Sequence, residues 1–459
     1  MIRALYSLAT WLAQPLLRRK LRRRGQAEPG YLLAVEERFG HYAVARPQPE
    51  GGAPLVWLHA VSLGETRAAA ILLAELRRLQ PGLRLLLTHG TATGREEGGR
   101  LLQPGDVQVW QPWDSPAVVR RFLQHFRPDV GVLMETEVWP GLIHEAAAAG
   151  VPLALANARL SERSQRGAER FGVLMKPAYA ALAAAWAQTE ADATRLTSLG
   201  APVAGVFGNL KFDARPDPAL LARGRAWRQA AGGAAGRPVV MLASSREGEE
   251  AEFLKQIRAM AQAQQAQAAT DSIAKGGAKG GAGGDTSAPP SGIQWLIVPR
   301  HPQRFDEVAA LVEGAGFTLS RRSGWGDASP PWADVWLGDS LGEMAAYYAL
   351  ADVALLGGSF AQLGGQNLIE AAACACPVVM GPHTFNFAQA AQMAEAAGAA
   401  RRVADMADGL AAAQALLADL PALAGMADAA LGFASAHRGA AERTARAVLA
   451  LAGREPAVA

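Results

Sequence analysis

The sequence predicts an α/β protein with two doubly wound parallel sheets, on three observations. From Leu55 onward short apolar runs alternate with alanine-rich helical segments, the pattern of a sheet wrapped on both faces. The alternation stops across 213–236, whose prolines and GGAAG segment suit a connector, and restarts at Pro238. The length of 459 residues, with 50% hydrophobic and 19% charged, is enough for two cores. No internal repeat at solenoid spacing competes with this reading.

The elements follow in order. Ala4 to Leu17 is largely apolar and runs straight into Arg18, Arg19, Lys20, Arg22, Arg23 and Arg24, charges that suit anionic lipid. A secretory signal carries its positive residues before the apolar run, so export is not expected. The run is shorter than the ~20 residues of a spanning helix and contains Gln14 and Pro15. Residues 1–24 therefore read as a membrane-associating helix in the cytoplasmic leaflet, with a single-span anchor or a helix packed on its own domain as alternatives. The first domain, 25–215, contains the strands LVWLHAV, LRLLLTHG, VQVWQPW, DVGVLMETE and VPLALANAR; the second, 236–459, contains VVMLASS, QWLIVPR, FTLSRR, VWLGDS, DVALLGGSF and PVVMG. Within the second, 262–292 is poor in apolar residues and reads as a disordered insertion. Cys374 and Cys376 have no histidine array near them and read as reduced core thiols, not a metal site or disulfide. A net charge of +3, with arginines scattered beyond the N-terminal cluster, does not describe a nucleic-acid binder.

Ligands of open parallel sheets bind beyond the carboxyl ends of the strands, so the residues found there carry the function. LVWLHAV leads to Ser62, Leu63, Gly64 and Glu65. A carboxylate at that place serves as general base on an acceptor hydroxyl or as capping-box partner of Ser62. METEVWP puts Glu135 and Glu137 at the next strand end; one acid is enough for a helix start, so the pair favours ligand contact, with Glu135 positioning an acceptor or offsetting positive charge. Asn157, Arg159 and Ser161 follow, and FGNLKFD places Lys211 near the boundary, suited to a leaving phosphate or to plain solvation. In the second series LASSREGEE sets Ser244, Ser245 and Arg246 before a helix, and LIVPRHPQRF ends in Pro299, Arg300 and His301, where Arg300 is the best fork for phosphate or carboxylate. VWLGDSLGEM adds the turn Leu341, Gly342 and Glu343. Val353 to Met380 reads as strand, glycine turn, helix and strand, a phosphate-ester pocket in which Gly357, Gly358, Gly364 and Gly365 keep side chains away. A helix opening near Asn367 directs its positive end there, although Asn367 and Glu370 equally form a capping box.

HAVSLGE, METEVWP, NARLS, GNLKFD, ASSREGEE, VPRHPQRF, GDSLGE, GGQNLIEAA and MGPHTFNF stand in one order along the chain, and with them it resembles the 3-deoxy-D-manno-octulosonic acid (Kdo) transferases of lipid A biosynthesis, from the N-terminal helix almost to the end. The resemblance implies a GT-B glycosyltransferase of two facing Rossmann-like domains, the N-terminal one for the acceptor and the C-terminal one for the CMP-sugar. It implies CMP-Kdo as donor, the lipid A precursor lipid IVA as acceptor, and a place on the cytoplasmic side of the inner membrane. Carried over, Glu65 is the general base, Glu135 and Lys211 stabilise the transition state, and Pro299, Arg300, Leu341, Gly342, Glu343, Asn367, Leu368, Ile369 and Glu370 hold cytidine monophosphate. No DxD-type motif stands out in the right setting, so no metal and no cofactor are expected. The family often has histidine at Gln366, proline at Leu368, and threonine and histidine at Ser245 and Arg246, departures beside the donor pocket. The alternatives are a GT-B enzyme using a nucleoside diphosphate sugar on another lipid, and a catalytically idle lipid-binding protein.

Overall fold

A computed structural model describes residues 2–233, 236–274, 292–326 and 330–453. These form two seven-stranded sheets, in which every pair is parallel. The first contains β1 (Leu55–His59), β2 (Arg84–His89), β3 (Val107–Trp110), β4 (Val130–Met134), β5 (Leu153–Ala158), β6 (Ala184–Ala187) and β7 (Val203–Val206), in the order β3-β2-β1-β4-β5-β6-β7. The second contains β8 (Val239–Ser245), β9 (Gln294–Pro299), β10 (Leu319–Arg321), β11 (Val335–Leu337), β12 (Val353–Leu356), β13 (Val378–Met380) and β14 (Ala400–Arg402), in the order β10-β11-β9-β8-β12-β13-β14. The strand order reverses between β1 and β4 in one sheet and between β8 and β12 in the other. At such a point successive connections leave to opposite faces and open a crevice at the strand ends.

In the first sheet alternate residues feed two cores. Leu55, Trp57, Leu133, Leu153 and Leu155 pack with Phe122 and Phe126; Val56, Leu58, Val132 and Ala154 pack beneath helix Leu63–Leu79 and helix Ala440–Leu451. The C-terminal helix thus corrects the expected 236–459 domain: the chain divides into 1–213 with 437–459, and 214–436. The reason is visible in its sequence. Ala440, Ala441, Ala445, Val448 and Leu449 make a fully buried stripe at helical spacing. Its N-terminus is capped by Asp213, whose carboxylate accepts from the amides of Gly439 at 2.5 Å and Ala441 at 2.7 Å.

The connector also contains structure. Helix Pro218–Ala230 belongs to the second unit: Gly224 lies so close to the Ala346 carbonyl that a Cβ would stand 2.1 Å from it, and Trp227 packs edge-on to Trp325. The proposed disordered insertion is corrected at its start, because helix Glu249–Ala274 runs through 262–274. The alanines and glutamines that form no core are good helix formers. Residues 275–291 of that insertion lie outside the described residues.

The N-terminal stretch forms two helices, Ile2–Leu12 and Gln14–Ala27, with Pro15 in the first turn of the second. They pack on the first unit through Tyr6, which donates to Asp114 at 2.5 Å, Thr10, whose carbonyl accepts from Trp113 Nε1, and Arg18, which forks onto Glu36. Among the described residues no single helix is long and apolar enough to cross a membrane.

Asp213→Ala leaves two amides of the C-terminal helix without an acceptor. It should cost about 1–2 kcal/mol of stability, read as a lower urea midpoint by tryptophan fluorescence.

Candidate active site

The first unit gathers its acids at the reversal between β1 and β4. After β1 the chain turns at Ser62, whose hydroxyl accepts from the Glu65 amide and opens helix Leu63–Leu79. Glu65 Oε2 in return accepts from the amides of Val61 at 2.5 Å and Ser62 at 3.1 Å. The capping box is therefore formed, and it orients the carboxylate instead of replacing its chemistry. Burial, followed by the charge of Glu137, pushes the Glu65 carboxyl above its ordinary range, the direction wanted in a base working near neutral pH.

Glu135 follows β4 in a left-handed conformation, φ +55°, and is only 3% exposed. A non-glycine residue there is strained, which surrounding contacts must hold. Its carboxylate meets Arg159 Nε at 2.9 Å through Oε2 and Lys211 Nζ at 3.7 Å through Oε1. Two cations at the end of β5 and in the turn Leu210–Asp213 thus make burial of this charge tolerable. The turn is fixed from both sides. Asn157, itself at φ +52°, accepts from the Leu210 amide at 3.0 Å through Oδ1, and Asp213 anchors the C-terminal helix.

Glu137 is held differently. Its Oε2 accepts from Trp139 Nε1 at 2.7 Å and lies 3.9 Å from Nε2 of the fully buried His59. His59 Nδ1 and Trp57 Nε1 both meet Thr88 Oγ1 at 2.8 Å. Burial opposes ionisation of Glu137, but His59 and Trp139 outweigh it and hold the carboxyl below its ordinary range.

In the second unit the reversal between β8 and β12 carries the glycine turn, and the expectation for Gly357 and Gly358 is corrected. The turn's amides already hold an anion of the chain itself. Glu249 Oε2 accepts from Gly358 at 2.7 Å and Arg246 at 2.9 Å, and Oε1 from Phe360 at 3.1 Å and Ala361 at 3.3 Å. Gly357 is required by close approach, since a Cβ would lie 2.4 Å from the Ser244 carbonyl. Beside it Glu250 accepts from Ser245 Oγ and Arg304 Nη1, each at 2.7 Å.

The remaining predicted residues lie on neighbouring strand ends of this unit. Pro299 closes β9 opposite Ser245, and the Arg300 amide donates to the Ser245 carbonyl at 3.0 Å. Leu341 is exposed and Gly342 adopts φ +82°, while the Glu343 carboxylate is taken by Arg223 at 2.7 Å, Arg322 at 3.0 Å and Ser340 at 2.5 Å. Of this turn, it is the backbone that remains for a ligand. Asn367 caps the short helix Leu368–Ala373 by accepting from the Ile369 amide at 3.2 Å. The side chains of Leu368 and Ile369 are buried in the core, so those positions offer main chain only; Glu370 is partly buried. Cys376 is a buried and Cys374 a half-buried free thiol, the latter pushed up to about 12 chiefly by desolvation.

Sequence reasoning missed Glu249, Glu250, Asp213 and His59 as organisers. Acids just past a strand end that precede a glycine turn elsewhere in the chain were the available signal for the first two.

Residues 34–214 match the family model described as 3-Deoxy-D-manno-octulosonic-acid transferase (kdotransferase). A 3-deoxy-D-manno-octulosonic acid transferase of Bordetella pertussis is 46% identical over 452 residues, 96% of this chain and 97% of that one. A protein of the same name from Haemophilus influenzae is 32% identical over 403 residues, 86% of this chain and 85% of its own. Among solved structures, Anabaena HepE in complex with UDP aligns at a TM-score of 0.53 and 15% identity, covering 86% of this chain and 99% of HepE. That likeness concerns the fold, which is of the GT-B glycosyltransferase class.

Glu249→Ala removes the acceptor from four amides at once. Urea unfolding of the second unit should lose about 3 kcal/mol.

Proposed function

The chain belongs to the 3-deoxy-D-manno-octulosonic acid transferases, glycosyltransferases of lipopolysaccharide core biosynthesis, and from that premise we propose that it moves Kdo from CMP-Kdo to the lipid A precursor lipid IVA by an inverting, metal-independent displacement. The observation that carries the reading is the pairing, at one crevice of the first unit, of a proton-hungry carboxylate, Glu65, with a carboxylate held between two cations, Glu135 with Arg159 and Lys211.

In the proposed reaction an acceptor hydroxyl oxygen forms a bond to the anomeric carbon of Kdo. The bond from that carbon to the CMP phosphate breaks, its electron pair leaves with the phosphate, and Glu65 takes the hydroxyl proton. Positive charge grows on the sugar ring and negative charge on the leaving group. Glu135 is suited to the first, and Lys211 to the second, because both are already oriented and need not reorganise. On the second unit, Pro299, Arg300, the turn Leu341 to Glu343 and the segment Asn367 to Glu370 are assigned to cytidine monophosphate. Arg300 serves as phosphate or carboxylate fork, and the glycine turn braced by Glu249 shapes the surroundings.

We also propose that the N-terminal helices rest on the cytoplasmic face of the inner membrane. Leu5, Leu8, Trp11 and Leu12 are each at least 52% exposed at spacings that align them on one face of the first helix, and Leu16 is exposed in the first turn of the second. The arginine run follows directly, as an interfacial helix on anionic lipid requires.

Glu65→Gln should lower kcat by about 10²–10⁴-fold while CMP still raises the melting temperature. The measurement is product mass after incubation with CMP-Kdo and tetraacylated lipid A precursor; full turnover by a folded E65Q protein would sink the assignment. Replacing Leu5, Leu8, Trp11 and Leu12 with serine should weaken binding to anionic vesicles by about tenfold or more, measured by co-sedimentation, with transfer to detergent-solubilised acceptor retained.

A further inference from the structure

We propose that Glu137 is a positioning residue for the reaction: a carboxylate held by Trp139 and lying near His59, at the end of the strand that leads to Glu65, where its negative charge acts on the base. The inference rests on the reading of Glu65 as the base.

His59 is itself held in the core. Trp57 Nε1 can only donate, so its 2.8 Å contact takes a lone pair of Thr88 Oγ1. The same oxygen meets His59 Nδ1 at 2.8 Å. His59 Nε2 lies 3.9 Å from Glu137 Oε2, too long for a hydrogen bond, so the ring stands near the carboxylate without bonding to it. Trp139 Nε1 donates to the same Glu137 oxygen from the other side at 2.7 Å.

The two carboxylates are joined by one short segment. β1 and β4 are adjacent, with His59 opposite Leu133. His59 directs its ring to Glu137, while the Val61 and Ser62 amides, two and three residues on, hold Glu65. Of the groups facing Glu65, Glu135 has its charge offset by Arg159 and Lys211, and it perturbs Glu65 less than Glu137 does. Glu137, facing only a histidine and an indole among its described partners, is the larger influence after burial. Two neighbouring acids are thereby pushed in opposite directions, Glu137 down and Glu65 up, the separation that divides a fixed charge from a working base.

The test is the pH profile of kcat/KM for Kdo transfer in the full-length protein, with Glu65→Gln, Glu137→Gln and Glu137→Asp beside it. The acid limb reports protonation of Glu65, so removing the Glu137 charge should move it to lower pH by ~0.5–1 unit and lower the plateau about 3–10-fold, with the acceptor KM nearly unchanged. E137D, which keeps the charge, should restore the limb. An acid limb unmoved in E137Q, whatever the plateau does, would overturn the proposal. Retained turnover and an unchanged limb in E65Q would overturn instead the assignment of Glu65, so the two failures are distinct. If E137Q does not fold, Trp139→Phe carries the same test, because it removes the donor that holds the Glu137 charge: the limb shifts the same way by a smaller amount, or the proposal fails.

Discussion

A carboxylate taken out of water needs donors or cations to replace its hydration, and in this protein that requirement decides which distant segments meet. Asp213 draws the C-terminal helix onto the first sheet, Glu135 gathers Arg159 and Lys211, and Glu249 collects four amides from two loops. Each is a short-range electrostatic demand met by a residue far away in sequence. The sheets supply rigid strand ends, and the buried acids fix the loops that extend from them.

The two units use the same topology for unlike electrostatics. At the first reversal, acids dominate and cations are recruited to balance them. At the second, acids face inward as braces for a glycine turn. Strain follows the same division. Glu135, Asn157 and Ser244 all adopt left-handed backbone at strand ends, a conformation that glycine would reach more cheaply. Side chains are retained at those three positions despite the strain, as expected where local structure serves a site.

Most of the fold was legible because most of β1–β5 and β8–β13 are short, largely apolar runs bounded by polar strand ends, although β10, LSR, is polar and only half-buried. β6, β7 and β14 were not. AAWA reads as helix from its alanines, VAGV is short, and ARR exposes arginine at a sheet edge, so only pairing with an existing neighbour makes them strands. The acids were legible from their position after strands; for Glu65 the sequence left general base and capping box as alternatives, and the structure shows a formed capping box whose carboxyl has raised proton affinity. What sequence could not supply was which anion the glycine turn holds. Gly357 and Gly358 carry the signature of a phosphate cradle, and an internal carboxylate from another loop satisfies the same amides. The outer boundary failed for a related reason: the buried stripe of helix Ala440–Leu451 announces a helix with a partner but not whose partner it is.

That helix also sets an order in time. The second unit is a continuous stretch of chain and can complete its sheet as it leaves the ribosome. The first cannot, because the face bearing Val56 and Leu58, covered in part by helix Leu63–Leu79, lacks helix Ala440–Leu451 until roughly 220 residues later. At ~5–20 residues per second of synthesis, the half-built unit exposes that apolar face for roughly ten to forty-five seconds. For that interval the nascent chain presents to chaperones a surface that the finished protein conceals.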